Sequence, residues 1–337
     1  MAMTTLGDVF ATDRTAAYEV IQSYMDTDPV TSTPFFESGL IVTNPIIAEM
    51  AGSGTGIVEL PFWARIDSSV EPNYSNDVYE DVAVPRAIGT GSMRARNAYL
   101  NEGFGSMDLV SVITGRDPLQ RIAGRLQQFW QEQAERRIVA TLRGIYNDAV
   151  AADTGMVFEA EAADGFTFSG LIDAQLTLGD AFGTIGGYVM SSAVFGGFVK
   201  EGLATVARTP DTNVLTRTLN GMPVIVNDAA MVVGGRSIVA LIGPGAFGYG
   251  MAEPANSLEY EREAARGNGG GAETLWTRRN MIVHPLGFDF LSTSITGNGT
   301  ETTPRSAGWT DLANAANWEL VADRKQVPIA FLSVAAA

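Results

Sequence analysis

The stretch from Pro118 to Val150 constrains this chain more than any other. Apolar residues recur there at Leu119, Ile122, Leu126, Trp130, Ala134, Ile138, Leu142, Ile145 and Ala149, in steps of three and four. That spacing predicts one continuous amphipathic helix. Its start is marked by Asp117 at an N-cap position, Pro118 at the first helical position and Gln120 where a capping box requires it. Glu132 precedes Arg136 by one turn, the favourable order for an ion pair. At about 1.5 Å per residue the rod would run about 50 Å. Few compact domains need such length, whereas a flattened, elongated subunit does.

The rest of the composition supports a folded chain. Hydrophobic residues make up 46% of the 337 and charged residues 18%, enough for a sizeable core in one large or two ordinary domains. The formal net charge of −16 disfavours general nucleic-acid binding, which relies on Lys and Arg. Lys200 and Lys325 are the only lysines, so the cations are nearly all arginine, the residue suited to fixed contacts with carboxylates. The absence of cysteine excludes disulfides, thiolate metal sites and thiol nucleophiles, and fits a reducing compartment. The opening MAMTTLGDVFATDR lacks the basic-then-apolar order of a signal peptide, and no apolar run reaches the ~20 residues of a membrane span. The expectation is a chain made, and soluble, in a cytoplasm.

Along the chain, Thr15 to Met25 and Thr43 to Met50 read as short helices, with turn chemistry from Thr27 to Pro34. These first 50 residues resemble an arm more than a core. Ala51–Gly56 (AGSGTG) reads as a flexible lead-in. Ile57 to Ile66 reads as a strand that Pro61 assigns to an edge. A polar stretch, Asp67–Asp77, precedes a returning segment, Val82–Arg96. The two form a long hairpin, and because an isolated hairpin is marginal in water it must lie on its own body or on a neighbour. Beyond the long helix, Ser169 is expected to cap a helix reaching Phe182. Gly187–Ser191 reads as a strand, and Ser192 as the cap of a helix from Ala193 to Ala204. Pro223–Asn227 and Ser237–Ile242 read as central strands. Glu253–Ala272 ends in a glycine-rich loop, and strand pattern returns over Leu275–Leu291 and Trp318–Val334. Helices and strands are mixed, without an internal repeat, which makes the class α+β.

Catalytic chemistry is sparse. His284, the only histidine, sits in an apolar run and reads as a structural residue with a hydrogen-bonded ring, although any Ser–His–Asp triad would have to use it. GSGTG at Gly52–Gly56 and GPGAFGYG at Gly243–Gly250 lack the lysine of a phosphate loop and read as backbone turns. Glu259, Glu261 and Glu263 would share one face of a strand, where carboxylates can bind calcium or act on a glycoside, or be solvated or face a partner. Ser191 and Ser192 follow a strand without the glycines of a nucleophile elbow, so capping accounts for them. Phe129 and Trp130 fit the core stripe. Arg136 and Arg137 read as outward-facing, toward solvent or a partner. No catalytic, cofactor-binding or metal-ligating residue is assigned.

Several segments, in order, resemble the major capsid proteins of tailed bacteriophages, the Hong Kong ninety-seven fold. SMDLVSVITGRDP at Ser106–Pro118 is similar to the lead-in of that family's spine helix, and Leu171–Val194 to the helix-then-strand opening of its axial domain. Gly221–Asp228, Ile242–Phe247, Arg279–Phe288 and Asn317–Val327 resemble further family segments. The resemblance implies an N-terminal arm over 1–50, an extended loop over 51–100, a peripheral domain from 101–165 with 285–337, and an axial domain over 166–284. It implies a structural protein, not an enzyme and without cofactors. Copies would form hexamers and pentamers of an icosahedral head enclosing double-stranded DNA, without sequence-specific binding. Scaffolding, portal and possible decoration or cement proteins would be partners, membranes would not, and assembly would take place in the host cytoplasm. Some relatives crosslink through a loop lysine, and residues 51–100 contain none. An encapsulin-like compartment shell and a carboxylate-based hydrolase using Glu259–Glu263 are the alternatives.

Overall fold

The computed structural model describes residues 34–37, 40–54, 56–64, 66, 70–114, 118–161, 166–208, 215–228, 232–292, 295–296 and 306–335. The helix expected over Thr15–Met25, most of the turn at Thr27–Pro34 and the N-cap Asp117 lie outside them. In chain order the first elements are α1 (Pro34–Glu37), β1 (Ile41–Thr43), α2 (Pro45–Gly52), β2 (Ile57–Trp63), β3 (Thr90–Arg96), β4 (Ala98–Met107) and α3 (Asp108–Thr114). Then come α4 (Pro118–Ala151), β5 (Val157–Ala160), α5 (Phe168–Leu176), β6 (Gly187–Met190), α6 (Ser192–Lys200), β7 (Ala204–Arg208), β8 (Leu215–Leu219) and β9 (Met222–Val226). The chain continues through β10 (Val232–Val233), β11 (Arg236–Ile242), β12 (Phe247–Ala252), β13 (Leu258–Glu263), β14 (Ala272–Pro285) and β15 (Phe288–Phe290). It closes with α7 (Trp309–Leu312), β16 (Trp318–Leu320) and β17 (Ile329–Ala335).

The long helix forms as its spacing requires, over 34 residues. Its two halves meet different surroundings. In the first half Leu119 and Leu126 pack on Leu275 of β14, while Ala123, Gly124 and Arg125 stay exposed. In the second half burial extends well beyond a stripe: Ala134, Glu135, Arg137, Ile138, Val139, Ala140, Thr141, Leu142, Gly144, Ile145 and Tyr146 are all buried. Arg137 therefore does not face outward. It donates to the Ala307 carbonyl at 3.0 Å, and desolvation lowers its pKa to about 10 against the opposing pull of Asp311. The Arg136 guanidinium lies 5.3 Å from the Trp309 ring centroid, a cation–π contact in place of the expected pair with Glu132.

Two sheets flank this helix. The first orders its strands β1-β12-β14-β13, with β4 also on β14. β14 is its central strand, paired with β4 from Ala272↔Met107 to Met281↔Ala98. The second has eight strands, β5-β17-β11-β6-β9-β8-β7 with β10 on β11. Its middle strands read as unbroken apolar runs because both faces are covered. Ile329 and Phe331 of β17 join Ile238, Ala240 and Ile242 of β11 in the cluster around α4. Ala330, Leu332 and Val334 alternate to the other face with Val239 and Leu241, against Leu171 of α5 and Phe195 and Phe198 of α6.

Boundaries shifted where local hydrogen bonds decided them. Thr167, not Ser169, caps α5, and that helix ends at Leu176 before a separate 3-10 turn over Gly179–Thr184. Ser191, not Ser192, caps α6, which stops at Lys200. Ala51 and Gly52 belong to α2 rather than to a flexible lead-in. β4 was not anticipated, because AYLNEGFGSM is glycine-interrupted and half polar.

Trp130 is 2% exposed and its Nε1 donates to Thr277 Oγ1 at 3.0 Å. Trp130→Ala is expected to cost about 3–5 kcal/mol of subunit stability, read by denaturant melting. An unchanged midpoint would contradict the packing described. Gly144 sits where an added Cβ would lie 2.0 Å from the Leu312 carbonyl and 2.5 Å from Trp318 Nε1. Gly144→Ala should therefore destabilise by about 1–3 kcal/mol despite the gain in helix propensity. A rise in melting temperature would refute that close approach.

Candidate functional site

Among the described residues, the outer part of the hairpin is a feature that the body of the subunit leaves exposed. β2 and β3 pair antiparallel from Ile57↔Arg96 to Trp63↔Thr90, with Pro61 opposite Ser92 in a two-stranded ribbon that has no third strand to need its missing N–H. Beyond the ribbon the backbone is irregular but tied to itself. Asn73 Nδ2 donates to the Val84 carbonyl at 3.3 Å, Val78 N to Asn76 Oδ1 at 3.1 Å, and Arg86 Nη1 to the Val70 carbonyl at 3.2 Å. The Asn76 amide also meets the Asp81 carboxylate. This self-bonded tip displays apolar side chains to solvent: Tyr79 is 96% exposed, with Tyr74, Val82 and Val84 also largely bare, as is Trp63 at the end of β2. Between Val70 and Val84 it carries Glu71, Asp77, Glu80 and Asp81 and no cation. Contiguous exposed apolar surface with a charged rim is the usual mark of a protein-binding surface.

The root, by contrast, is clamped. Asp289 on β15 accepts from Arg94 N at 2.6 Å and Arg94 Nε at 2.8 Å, so one carboxylate fixes both backbone and guanidinium. The carboxylate raises the Arg94 pKa, first through the hydrogen bond and then through its charge. Asn97 Nδ2 donates to the Ala51 carbonyl at 2.9 Å and Tyr99 OH to the Gly54 carbonyl at 2.7 Å. Val58 and Ala95 pack with Ile47 and Ala51 of α2 and Ile282 of β14. A rigid root and a bare tip make a lever fixed at one end.

The residues singled out for chemistry lie apart. His284 is 3% exposed, its Nε2 is 2.8 Å from the Phe288 carbonyl, and burial pushes its pKa down to about 4. Its ring is thus neutral and hydrogen-bonded to a backbone carbonyl rather than to a serine hydroxyl. Glu259, Glu261 and Glu263 do lie on β13, but each is engaged separately: Glu259 with Arg278 at 2.8 Å, Glu261 with Trp276 Nε1 at 2.8 Å, and Glu263 with Arg266 at 2.6 Å. Ser191 caps α6, and Ser192 N and Oγ donate to Asp228 at 2.6 and 3.0 Å. Gly243 is locked by its N–H to the Pro328 carbonyl at 2.8 Å, and a Cβ there would lie 2.4 Å from the Thr184 carbonyl, so that loop is a packed turn. Phe129 meets Phe104 edge-on at 5.5 Å and belongs to the core wall. Among the described residues no three carboxylate or imidazole side chains gather to hold a metal, and no helix is long and apolar enough to cross a membrane.

Sequence reasoning missed two features. Arg262 bridges Asp108 of α3, at 2.6 Å, and Glu273 of β14, which ties β13 to the start of the helical layer. A concave cleft of about 700 Å³ lies between α4 and α7, lined in part by Arg136, Val139, Arg143 and Trp309. Neither has a signal in sequence, because the partners are far apart in the chain.

The comparisons with known proteins converge. The family model described as Gp13-like, major capsid protein 13-like, matches residues 75–252, more than half of the chain. The major capsid protein of Bacillus phage SPP1 is 27% identical over 337 residues, covering 98% of this chain and 97% of that one. Among solved structures, the cyanophage Pam1 capsid subunit superposes with a TM-score of 0.56 at 11% identity, covering 92% of this chain and 94% of its own. The head structure of Helicobacter pylori bacteriophage KHP40 gives 0.51 at 10% identity, covering 93% and 94%. The architecture is therefore the Hong Kong ninety-seven capsid fold anticipated from the segment order. The chain belongs to the Gp13-like family of phage major capsid proteins.

Proposed function

We propose that this subunit assembles into hexamers and pentamers that close an icosahedral head around double-stranded DNA, with the hairpin as the strap between neighbouring copies. The observation that carries the reading is the contrast within the hairpin: a root held by Asp289 and a self-bonded tip whose Tyr79 is 96% exposed. An apolar tip left bare by the described residues of its own chain is supplied with a surface when another copy lies beneath it. Each subunit then touches several others, and many modest contacts add up to a stable closed particle.

Without a lysine in residues 51–100, the strap holds by non-covalent contact rather than by a lysine crosslink from that loop. The division into arm (1–50), extended loop (51–100), peripheral parts (101–165 and 285–337) and axial part (166–284) belongs to the same proposal. So do a separate scaffolding protein, a portal, a possible decoration or cement protein, assembly in the host bacterial cytoplasm and the absence of an enzymatic role. The net charge of −16 suits a wall past which packaged DNA moves without sticking.

Deleting Asp67–Asp77 should leave a folded subunit with an unchanged circular dichroism spectrum, yet abolish closed shells in negative-stain images. Normal particles from that variant would overturn the role given to the hairpin. Particles from the unaltered protein filled with a cargo enzyme instead of DNA would favour the compartment-shell alternative.

A further inference from the structure

The end of α4 holds one side chain that the packing leaves unserved. Tyr146 OH lies 2.8 Å from Ser333 Oγ, and Asn147 Nδ2 donates to the Ala313 carbonyl at 2.8 Å. Asp148 follows them and is only 8% exposed, yet among the described residues its Oδ2 meets no hydrogen-bond donor. Its position also disfavours a charge. It lies on the last turn of a 34-residue helix, at the negative end of the helix dipole, and that turn carries no cation. β16 packs on the helix and carries Glu319. Burial, and then the Glu319 charge, push the Asp148 pKa up to about 6.

Among the described residues, no cation on the surrounding elements offsets this. Asp311 of α7 acts on Arg137 and is bonded to Thr296 and Gly308. Glu159 of β5 lies 3.8 Å from Arg236, and the 3-10 turn Ala315–Asn317 carries no charge. His284 of β14, beside Trp318, is neutral. Glu319 meanwhile serves a second group. It lies opposite Asp289 in the β15–β16 pair, and its charge helps to raise the pKa of Arg94, the cation that Asp289 holds at the hairpin root. One carboxylate therefore favours the root and opposes an ionised Asp148. The connection between the two runs through a strand pair of only three residues each, which a change in charge at one end can strain.

We propose that the seam between the end of α4 and β16 is a proton-operated joint. With Asp148 protonated, β16 closes on α4 and β15 holds the hairpin root; with Asp148 ionised, its repulsion from Glu319 loosens both. The joint belongs to the single subunit and stands whether or not the hairpin is a strap. Its sign follows from linkage. A carboxyl whose folded pKa lies above its unfolded value gives stability that is complete below about pH 4 and is lost as the pH rises through about 6.

Denaturant melting of the full-length, unassembled subunit at pH 5 and pH 7.5 tests this, with Asp148→Asn as the variant that keeps the shape and removes the charge. The folded-to-unfolded ratio of D148N should exceed that of the unaltered chain, and the excess should grow about tenfold between the two pH values. In hydrogen–deuterium exchange, amides of residues 94–96, 288–290 and 318–320 should lose more protection than those of β11 as the pH rises in the unaltered chain, and should keep it in D148N. Glu319→Gln, at an exposed site, decides the matter should D148N fold poorly: it should shrink the pH-dependent loss in the chain that retains Asp148 and have no such effect in the D148N background. A D148N excess that is the same at both pH values, or equal losses at the root in both chains, would overturn the proposal. So would an E319Q variant whose pH-dependent loss matches that of the unaltered chain.

Discussion

The subunit is organised around the C-terminal half of α4, where a helix is enclosed on nearly every side. An α-helix satisfies its own backbone internally, so it can be buried without leaving N–H or C=O groups unpaired, provided its side chains are accommodated. Here they are. Tyr146 OH and Ser333 Oγ lie 2.8 Å apart, Asn147 Nδ2 donates to the Ala313 carbonyl at 2.8 Å, and Arg137 reaches the Ala307 carbonyl. Gly144 removes the Cβ that would collide with the Leu312 carbonyl, which lets the final segments close over the helix. Both sheets use that helix as a common wall, and the geometry of everything peripheral follows from it.

The hairpin depends on this frame. Its root is fixed through Asp289, which lies on β15, and β15 pairs with β16 from Phe288↔Leu320 to Phe290↔Trp318. Trp318 in turn donates through Nε1 to the Leu312 carbonyl at 2.7 Å, against Gly144. A chain of contacts thus connects the core of α4 to the base of the projecting ribbon. In the proposed assembly, a soft root would dissipate the orientation with which the tip meets a neighbour. The root is held through charge-assisted bonds while the tip is left apolar and acidic, which separates a fixed base from an exposed end.

The same logic runs through the titratable groups that the sequence singled out. The titratable groups are spent on structure: His284 is kept neutral by burial, the β13 glutamates are divided among Arg278, Trp276 and Arg266, and Arg262 joins two layers. A general acid–base pair needs two groups aimed at one reacting atom, and these are aimed at separate partners. Family membership points the same way, toward a subunit whose surfaces meet other protein.

Sequence alone determined the elements whose cause is local. The length of α4 followed from its apolar spacing. The hairpin followed from two strand-like runs around a polar stretch, and the edge position of β2 from Pro61. Strands β6, β9 and β11 followed from short apolar runs, and the family from the order of its segments. Tertiary structure decided what distant partners impose. Arg136 and Arg137 are neighbours in a polar-looking pair, yet one stacks on Trp309 and the other is buried against Ala307, because segments closing over α4 from more than 150 residues away cover one side of the helix more than the other. The caps moved from Ser169 and Ser192 to Thr167 and Ser191 because the hydroxyl that reaches a free helix N–H depends on where the backbone turns. β4 became a strand because β14 offers it a full edge of hydrogen bonds, which outweighs the weak strand preference of its glycines. Periodicity reports which face of an element is apolar, but only the folded chain sets how many faces are covered and by what.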